Sequence, residues 1–136
     1  MRHIISTLRA AAIGSVVMVS SGAALPATAS SDGLAGAWRG SGSIVLPSGA
    51  TESARCKVSF SKQGGKSYSM NAVCASSSTR VAQTASLEQV GANRFVGEFT
   101  NSEYGVTGRI NLTLSGSSLS ANLNGGGAKA YFNLNR

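Results

Sequence analysis

The sequence predicts an all-β protein, a single eight-stranded antiparallel barrel in up-and-down order. From Trp38 onward, apolar and small residues alternate with polar residues, which is the two-residue period of strands with one buried face. Clusters of Gly, Ser and Asn interrupt this alternation roughly every 8 to 14 residues, as turns between consecutive strands do. Eight strands that are apolar on one face bury it most simply by closing into a barrel, and a two-sheet sandwich is the alternative.

The eight strands follow one another along the chain. The first turns at Pro47-Ser48-Gly49, the second ends at Gly64-Gly65, and the fourth, over about residues 80–90, is the least regular. The outward positions are mainly Arg, Lys, Ser, Thr and Asn, which disfavours a membrane-spanning barrel because lipid requires an apolar outer face. The predicted inner faces are, in strand order, Trp38, Gly40, Gly42, Ile44 and Leu46; Ala54, Cys56, Val58 and Phe60; Tyr68, Met70, Ala72 and Cys74; Val81, Ala85 and Leu87; Phe95, Gly97 and Phe99; Val106, Gly108, Ile110, Leu112 and Leu114; Leu119, Ala121 and Leu123; and Ala128, Ala130, Phe132 and Leu134.

The register of the hairpins tests this prediction, because opposed residues must belong to the same face of the sheet. The inner faces agree when strands six and seven turn at Gly116-Ser117 and strands seven and eight turn through Asn124 and the three glycines after it. The predicted pairs are Phe60 with Met70, Phe99 with Val106, Leu114 with Leu119 and Leu123 with Ala128.

Residues 1–29 are predicted to be a cleaved signal peptide. Arg2 and Arg9 make its start basic, residues 10–19 are an apolar run too short to span a bilayer, and residues 27–29 are small enough for cleavage. The expected localisation is therefore periplasmic or secreted. The expected organisation is a signal peptide at 1–29, a flexible N-terminal arm at 30–35 and a β-barrel domain at 36–136.

The expected mature chain, residues 30–136, is basic. Without the two arginines of the signal peptide, the twelve Lys and Arg fall to ten against five Asp and Glu, a net charge of +5. The register of strands one and two places Arg39 beside Lys57 on the outer face, with Arg55 two residues along the strand. These three cations form a candidate basic patch that would attract an anionic envelope polymer or lipid headgroups. Nucleic acid is not expected as a partner, because the basic residues are dispersed without paired stacking aromatics.

Cys56 and Cys74 are predicted to form a disulfide. Both lie on inner faces, and the register of strands two and three sets them opposite each other. The oxidising compartment implied by the signal peptide favours the bond, which contributes roughly 3 kcal/mol by closing a short loop. A redox-active thiol pair is the alternative, but the sequence has no Cys-x-x-Cys spacing.

The residues that usually carry catalysis and metal binding are scarce. His3 is the only histidine and belongs to the signal peptide, and Asp32 is the only aspartate. We therefore expect no enzyme activity, no catalytic residues, no metal and no cofactor. Glu52 begins strand two, and Glu103 and Tyr104 lie in the loop between strands five and six. The start of strand two and this loop lie at the same end of an up-and-down barrel. Glu52, Glu103 and Tyr104 therefore form a candidate barrel mouth.

Three resemblances follow from the first strands. Gly36 and Trp38 resemble the Gly-x-Trp opening of lipocalin-like and avidin-like barrels, which implies that both belong to a core that closes one barrel end. The segment 36–74, with Arg-Cys-Lys-Val at 55–58, resembles small periplasmic inhibitors of bacterial metalloproteases, barrels whose N-terminal segment enters the protease cleft. Most of the chain, including Cys-Ala-Ser at 74–76, resembles small exported alphaproteobacterial β-barrel proteins of unknown function, which implies a fold but no activity.

Two functions are expected from these observations. The first is a non-enzymatic binding module of the cell envelope that takes a small ligand or an anionic envelope component. The second is an inhibitor or binding partner of another protein, such as a secreted protease. A binding module would use the space left by small inner residues, although small and large side chains also alternate when they simply fill a narrow barrel. These small residues are Gly97, Gly108, Ala121, Ala128 and Ala130.

We predict that the mature protein begins at or near Ser30 and contains one intramolecular disulfide. Intact-mass measurement before and after reduction tests both parts, because reduction should add two mass units. Alkylation of both thiols without prior reduction, or a retained signal peptide, would contradict this prediction.

Overall fold

In the computed structural model, residues 33–136, together with Gly14, are described. Residues 33–136 form an all-β, closed antiparallel barrel in which each strand pairs with the next and β1 pairs with β8, as the sequence predicted. No helix in this part of the chain is long and apolar enough to cross a membrane. The predicted signal peptide lies outside the described residues. The strands are β1 Gly36–Val45, β2 Thr51–Gly64, β3 Ser67–Ser76, β4 Arg80–Gly91, β5 Arg94–Asn101, β6 Val106–Ser115, β7 Ser118–Gly125 and β8 Ala128–Asn135.

The alternation of the sequence becomes an apolar interior. In β2, for example, Ala54, Cys56, Val58 and Phe60 are buried, and the residues between them are exposed. The same period along all eight strands produces one continuous core inside the barrel. The predicted inner faces are confirmed.

The predicted disulfide is also present and lies inside this core. Cys56 of β2 is directly opposite Cys74 of β3, their Cα atoms are 4.1 Å apart, and the two sulfurs are bonded. The bond crosses one hairpin at the middle of the barrel. It therefore fixes the register of β2 on β3 in addition to their backbone hydrogen bonds.

Two hairpins differ by two residues from their predicted register. Leu123 pairs with Ala130 instead of Ala128, and Phe99 pairs with Gly108 instead of Val106. A shift of two residues keeps every side chain on its face, so the alternation of the sequence could not distinguish the two registers.

The physical cause is that both connections are shorter than predicted. β7 and β8 are joined by Gly126 and Gly127 alone, and both have positive φ angles, 59° and 79°, which glycine adopts without strain and which suit a two-residue hairpin. β5 continues as far as Asn101, which pairs with Val106, so that only residues 102–105 form the loop.

The seam that closes the barrel depends on two glycines of β1. A Cβ atom at Gly40 would overlap the carbonyl oxygen of Asn133, and one at Gly42 would overlap the carbonyl oxygen of Tyr131. Both oxygens belong to β8. Any larger residue would push the two strands apart, so the missing side chains allow β1 to bend onto β8 and complete the sheet.

One end of the barrel is closed around Trp38, which is 1% exposed. Its indole Nε1 donates a hydrogen bond of 2.9 Å to the carbonyl oxygen of Leu34, which is also buried. The guanidinium of Arg136 lies 4.5 Å from the centroid of the Trp38 ring and donates a hydrogen bond of 2.9 Å to the carbonyl oxygen of Ala35. Of the arm predicted to be flexible, the described residues 33–35 are thus packed against the barrel.

We predict that Trp38→Ala lowers the free energy of unfolding by about 3 to 5 kcal/mol, because it empties a large buried site. Chemical denaturation followed by circular dichroism measures this loss without relying on fluorescence of the only tryptophan. Tyr131→Ala is the matched control, since Tyr131 is 54% exposed and its loss should cost less than about 1 kcal/mol. A similarly small loss for Trp38→Ala would mean that this residue does not hold the closed end together.

Candidate functional site

The two ends of the barrel differ in how their interiors are filled. At the closed end, Leu34 and Trp38 are fully buried, and the rings of Tyr68 and Phe95 pack edge to face with centroids 5.3 Å apart. The opposite end carries the connections β1–β2, β3–β4, β5–β6 and β7–β8. There the interior opens into a cavity of about 470 Å³, which we call the open-end cavity.

The wall of the open-end cavity is mainly apolar. A volume of this size is in the usual range for sites that bind small molecules, roughly 300 to 1,000 Å³. The residues that line it come from the strands and from the loops of the open end. They include Ile44, Leu46, Pro47, Val81, Phe99, Val106, Leu123, Ala128, Ala130 and Phe132, and the polar residues Glu52, Ser78, Thr79, Gln83, Asn101, Tyr104 and Lys129.

The open-end cavity is unfilled because the side chains near the rim are short. Ala128 and Ala130 of β8 lie on its inner face toward the open end, whereas Phe132 of the same strand lies deeper and forms part of the floor. Gly97 and Gly108 do not contribute space, although the sequence suggested it. A Cβ at either one would overlap a backbone oxygen of the neighbouring strand, so both glycines serve strand curvature instead.

The floor below the cavity is nearly filled. A separate void of about 30 Å³ lies among the disulfide, Ala121 and the surrounding core side chains. That volume is enough for roughly one or two water molecules, but its lining is almost entirely apolar. The larger cavity is therefore confined to one half of the barrel.

Two carboxamides interrupt the apolar wall. Asn101, at the end of β5, is only 6% exposed, and its Oδ1 accepts a hydrogen bond of 3.3 Å from the backbone N–H of Tyr104. Gln83 lies half-buried on the inner face of β4. Within residues 33–136, neither the Gln83 amide nor Nδ2 of Asn101 makes a hydrogen bond to another residue. Buried polar groups normally have partners, so these amides are available to a bound molecule.

The position of these amides follows from where the pairing of β4 with β5 ends. The ladder of paired residues stops at Thr84 and Thr100. Continuing the same register by one step would bring Gln83 opposite Asn101. The pairing of β4 with β5 therefore ends just before Gln83 and Asn101, and both side chains line the cavity. Sequence analysis missed both residues, although the two-residue period of β4 places Gln83 inward.

Hydrogen bonds join the loops at the rim. Ser78 Oγ donates a bond of 2.8 Å to Glu52 Oε1, which joins the β3–β4 connection to the start of β2. The hydroxyls of Thr79 and Tyr104 are 2.7 Å apart and join the same connection to the β5–β6 loop. Of the predicted mouth residues, Glu52 and Tyr104 line the cavity, whereas Glu103 is exposed in the loop and does not.

The structure places the basic patch elsewhere, on the outside of the barrel. Arg39 of β1 lies opposite Lys57 of β2, and Arg55 is two residues along β2; all three are exposed. Sequence analysis missed Arg80, the first residue of β4, which pairs with Ala75 and extends the same face. Over residues 33–136 there is no cluster of His, Cys, Asp or Glu that could hold a metal ion.

Comparison with known proteins finds relatives in fold only. No protein-family model and no curated protein matches the sequence. Among solved structures, the redesigned β-barrel mFAP1 bound to DFHBI matches with a TM-score of 0.65 and 15% identity over 76% of this chain and 94% of that chain. The redesigned barrel mFAP0 bound to DFHBI matches with a TM-score of 0.65 and 15% identity, over 76% and 98% of the two chains. The redesigned barrel b11L5F_LGL matches with a TM-score of 0.61 and 17% identity, over 76% and 90%.

We predict that Thr79→Val loosens the rim without unfolding the barrel, because it removes the bond to Tyr104. Amide hydrogen exchange measured by mass spectrometry should become faster in residues 77–79 and 102–105 but not in the strands. The free energy of unfolding should change by less than about 1 kcal/mol, since the bond is exposed. Thr107→Val, at an exposed position of β6, is the control. Unchanged exchange in both loops would show that this bond does not order the rim.

Proposed function

We propose that this protein is a binding module that holds a small, mainly apolar molecule in the open-end cavity. The observation that carries the proposal is the unequal filling of one barrel. The closed half is packed, and the open half contains a mainly apolar cavity of about 470 Å³ that opens at the barrel end. Protein interiors are normally close-packed, and unfilled apolar volume lowers stability. A ligand would recover the lost contacts.

The polar groups of the cavity define the ligand further. Gln83 and Asn101 offer amide groups beside apolar walls. The ligand should therefore carry an uncharged hydrogen-bonding group, such as a carbonyl or hydroxyl, at the position that contacts these amides. Among the described residues that line the cavity, the charged ones are Glu52 and Lys129. Both belong to strand ends at the rim. A charged ligand group would therefore remain near the rim, since burying an unpaired charge is costly.

The structural comparisons support this proposal at the level of the fold. Two redesigned barrels with the same overall architecture are bound to DFHBI, so a barrel of this fold is able to bind a small molecule. We further propose that the protein works in the cell envelope, in the periplasm or after secretion. The predicted signal peptide supports that location, and the Cys56–Cys74 disulfide fits an oxidising compartment.

The alternative function, inhibition of another protein through the N-terminal arm, has less support. Such an arm must be free to enter a partner. Within its described part, Leu34 is buried and hydrogen-bonded to Trp38, and Ala35 is bonded to Arg136.

We predict that the wild-type barrel binds an apolar, environment-sensitive dye such as Nile red, and that Ala130→Phe weakens this binding by about tenfold or more. The added ring would occupy the open-end cavity, where steric overlap costs more than 1 kcal/mol. Fluorescence titration with Nile red and with DFHBI measures the effect. Asn133→Phe is the matched control, because it adds the same ring to the exposed face of the same strand.

Gln83→Leu tests the polar part of the site. Removal of one ligand hydrogen bond should weaken a hydrogen-bonding ligand by roughly 1 kcal/mol, about fivefold, while the binding of a purely apolar dye is retained. Native mass spectrometry of protein purified from its own source should reveal a retained small molecule. Absence of dye binding by the wild type, or equal binding by Ala130→Phe, would refute the proposed function.

A further inference from the structure

The outer surface of β1 to β4 contains a groove that the proposed function does not use. Its volume is about 1090 Å³, and five basic residues line it. The guanidinium of Arg136 is held against the Trp38 ring and the carbonyl oxygen of Ala35, and the other four cations are Arg39, Arg55, Lys57 and Arg80. All four are exposed. We call this surface the basic groove.

The register of the strands fixes how the four cations are arranged. One row across the sheet runs from Arg39 to Lys57 on the adjacent strand, and the next row runs from Arg55 to Arg80 with Ala75 between them. Neighbouring strands are about 4.8 Å apart and rows on one face about 6.7 Å apart. The backbone positions of the four cations therefore fall within roughly 10 Å of their nearest neighbours in the groove.

No acidic side chain in the groove balances this charge. None of the described residues that line the groove is acidic. Glu52 points to the cavity rim, and Glu88 and Glu98 lie farther along the sheet, opposite Ser67 and Arg109. Like charges directly opposite each other on a sheet, as Arg39 and Lys57 are, are destabilising. An anionic partner would remove that repulsion.

The floor between the cations is small and apolar, with Val73 36% exposed and Ala75 beside it. No aromatic side chain lines the groove among the described residues, so nothing there can stack on nucleobases. Gly40 and Cys56 also line the groove.

We propose that the basic groove binds a linear polyanion whose negative charges lie along its backbone, independently of any ligand in the open-end cavity. Arg39, Lys57 and Arg55 on one side of the small apolar floor of β3, and Arg80 on the other side, would contact successive charged groups of one extended chain. Arginine favours such contacts because its planar guanidinium pairs with phosphate or carboxylate through two hydrogen bonds. Affinity should fall as salt concentration rises, since the cations are exposed.

The test uses inorganic polyphosphate as the probe, with affinity measured by calorimetry at several salt concentrations. The double variant Arg55→Gln, Arg80→Gln should bind about tenfold more weakly than wild type at low salt, with a shallower dependence on salt. The matched control is Arg94→Gln, Arg109→Gln, which removes the same charge from exposed positions on β5 and β6 and should bind as wild type does.

Backbone NMR of the wild type gives a second measurement that needs no variant. Polyphosphate should shift resonances of β1 to β4 around the groove and leave β5 to β7 unchanged. Equal weakening by both double variants would show a general charge effect and overturn the proposal. So would preferential binding to vesicles of mixed phosphatidylcholine and phosphatidylglycerol, because that result would identify a lipid surface as the partner.

Discussion

Closure of β1 on β8 is the constraint on which the rest of the structure depends. The two strands approach so closely that the carbonyl oxygens of β8 occupy the positions where Gly40 and Gly42 would carry a Cβ. An open sheet with the same alternation would expose one apolar face and two unpaired edges. Closure removes both edges and turns the apolar faces into an interior, which the two barrel ends then use differently.

At the closed end of the barrel, a residue before β1 and a residue after β8 both contact Trp38. Leu34, before β1, receives its indole hydrogen bond, and Arg136, after β8, lies over its ring. This arrangement holds the closing strands together at that end of the barrel. The disulfide adds a second constraint on β2 and β3. The opposite end of the barrel retains an unfilled volume of about 470 Å³.

The barrel wall separates two surfaces with opposite chemistry. The interior at the open end is apolar with two amides, Gln83 and Asn101, whereas the outside of β1 to β4 is cationic. One strand contributes to both: β2 directs Glu52 to the rim and Arg55 to the groove. The two-residue period of a strand makes this possible, since adjacent residues face opposite sides of the sheet.

The sequence by itself determined the barrel, its inner faces, the Cys56–Cys74 pairing and the proximity of Arg39 to Lys57. Alternation and short turns carry that information locally. Only the tertiary structure decided the registers of β5 on β6 and β7 on β8, because a two-residue shift preserves every face. It also decided where the interior is empty. An alanine near the rim leaves space in the interior. A glycine does not, where the backbone of a neighbouring strand occupies the position of its absent Cβ. That difference depends on strand curvature.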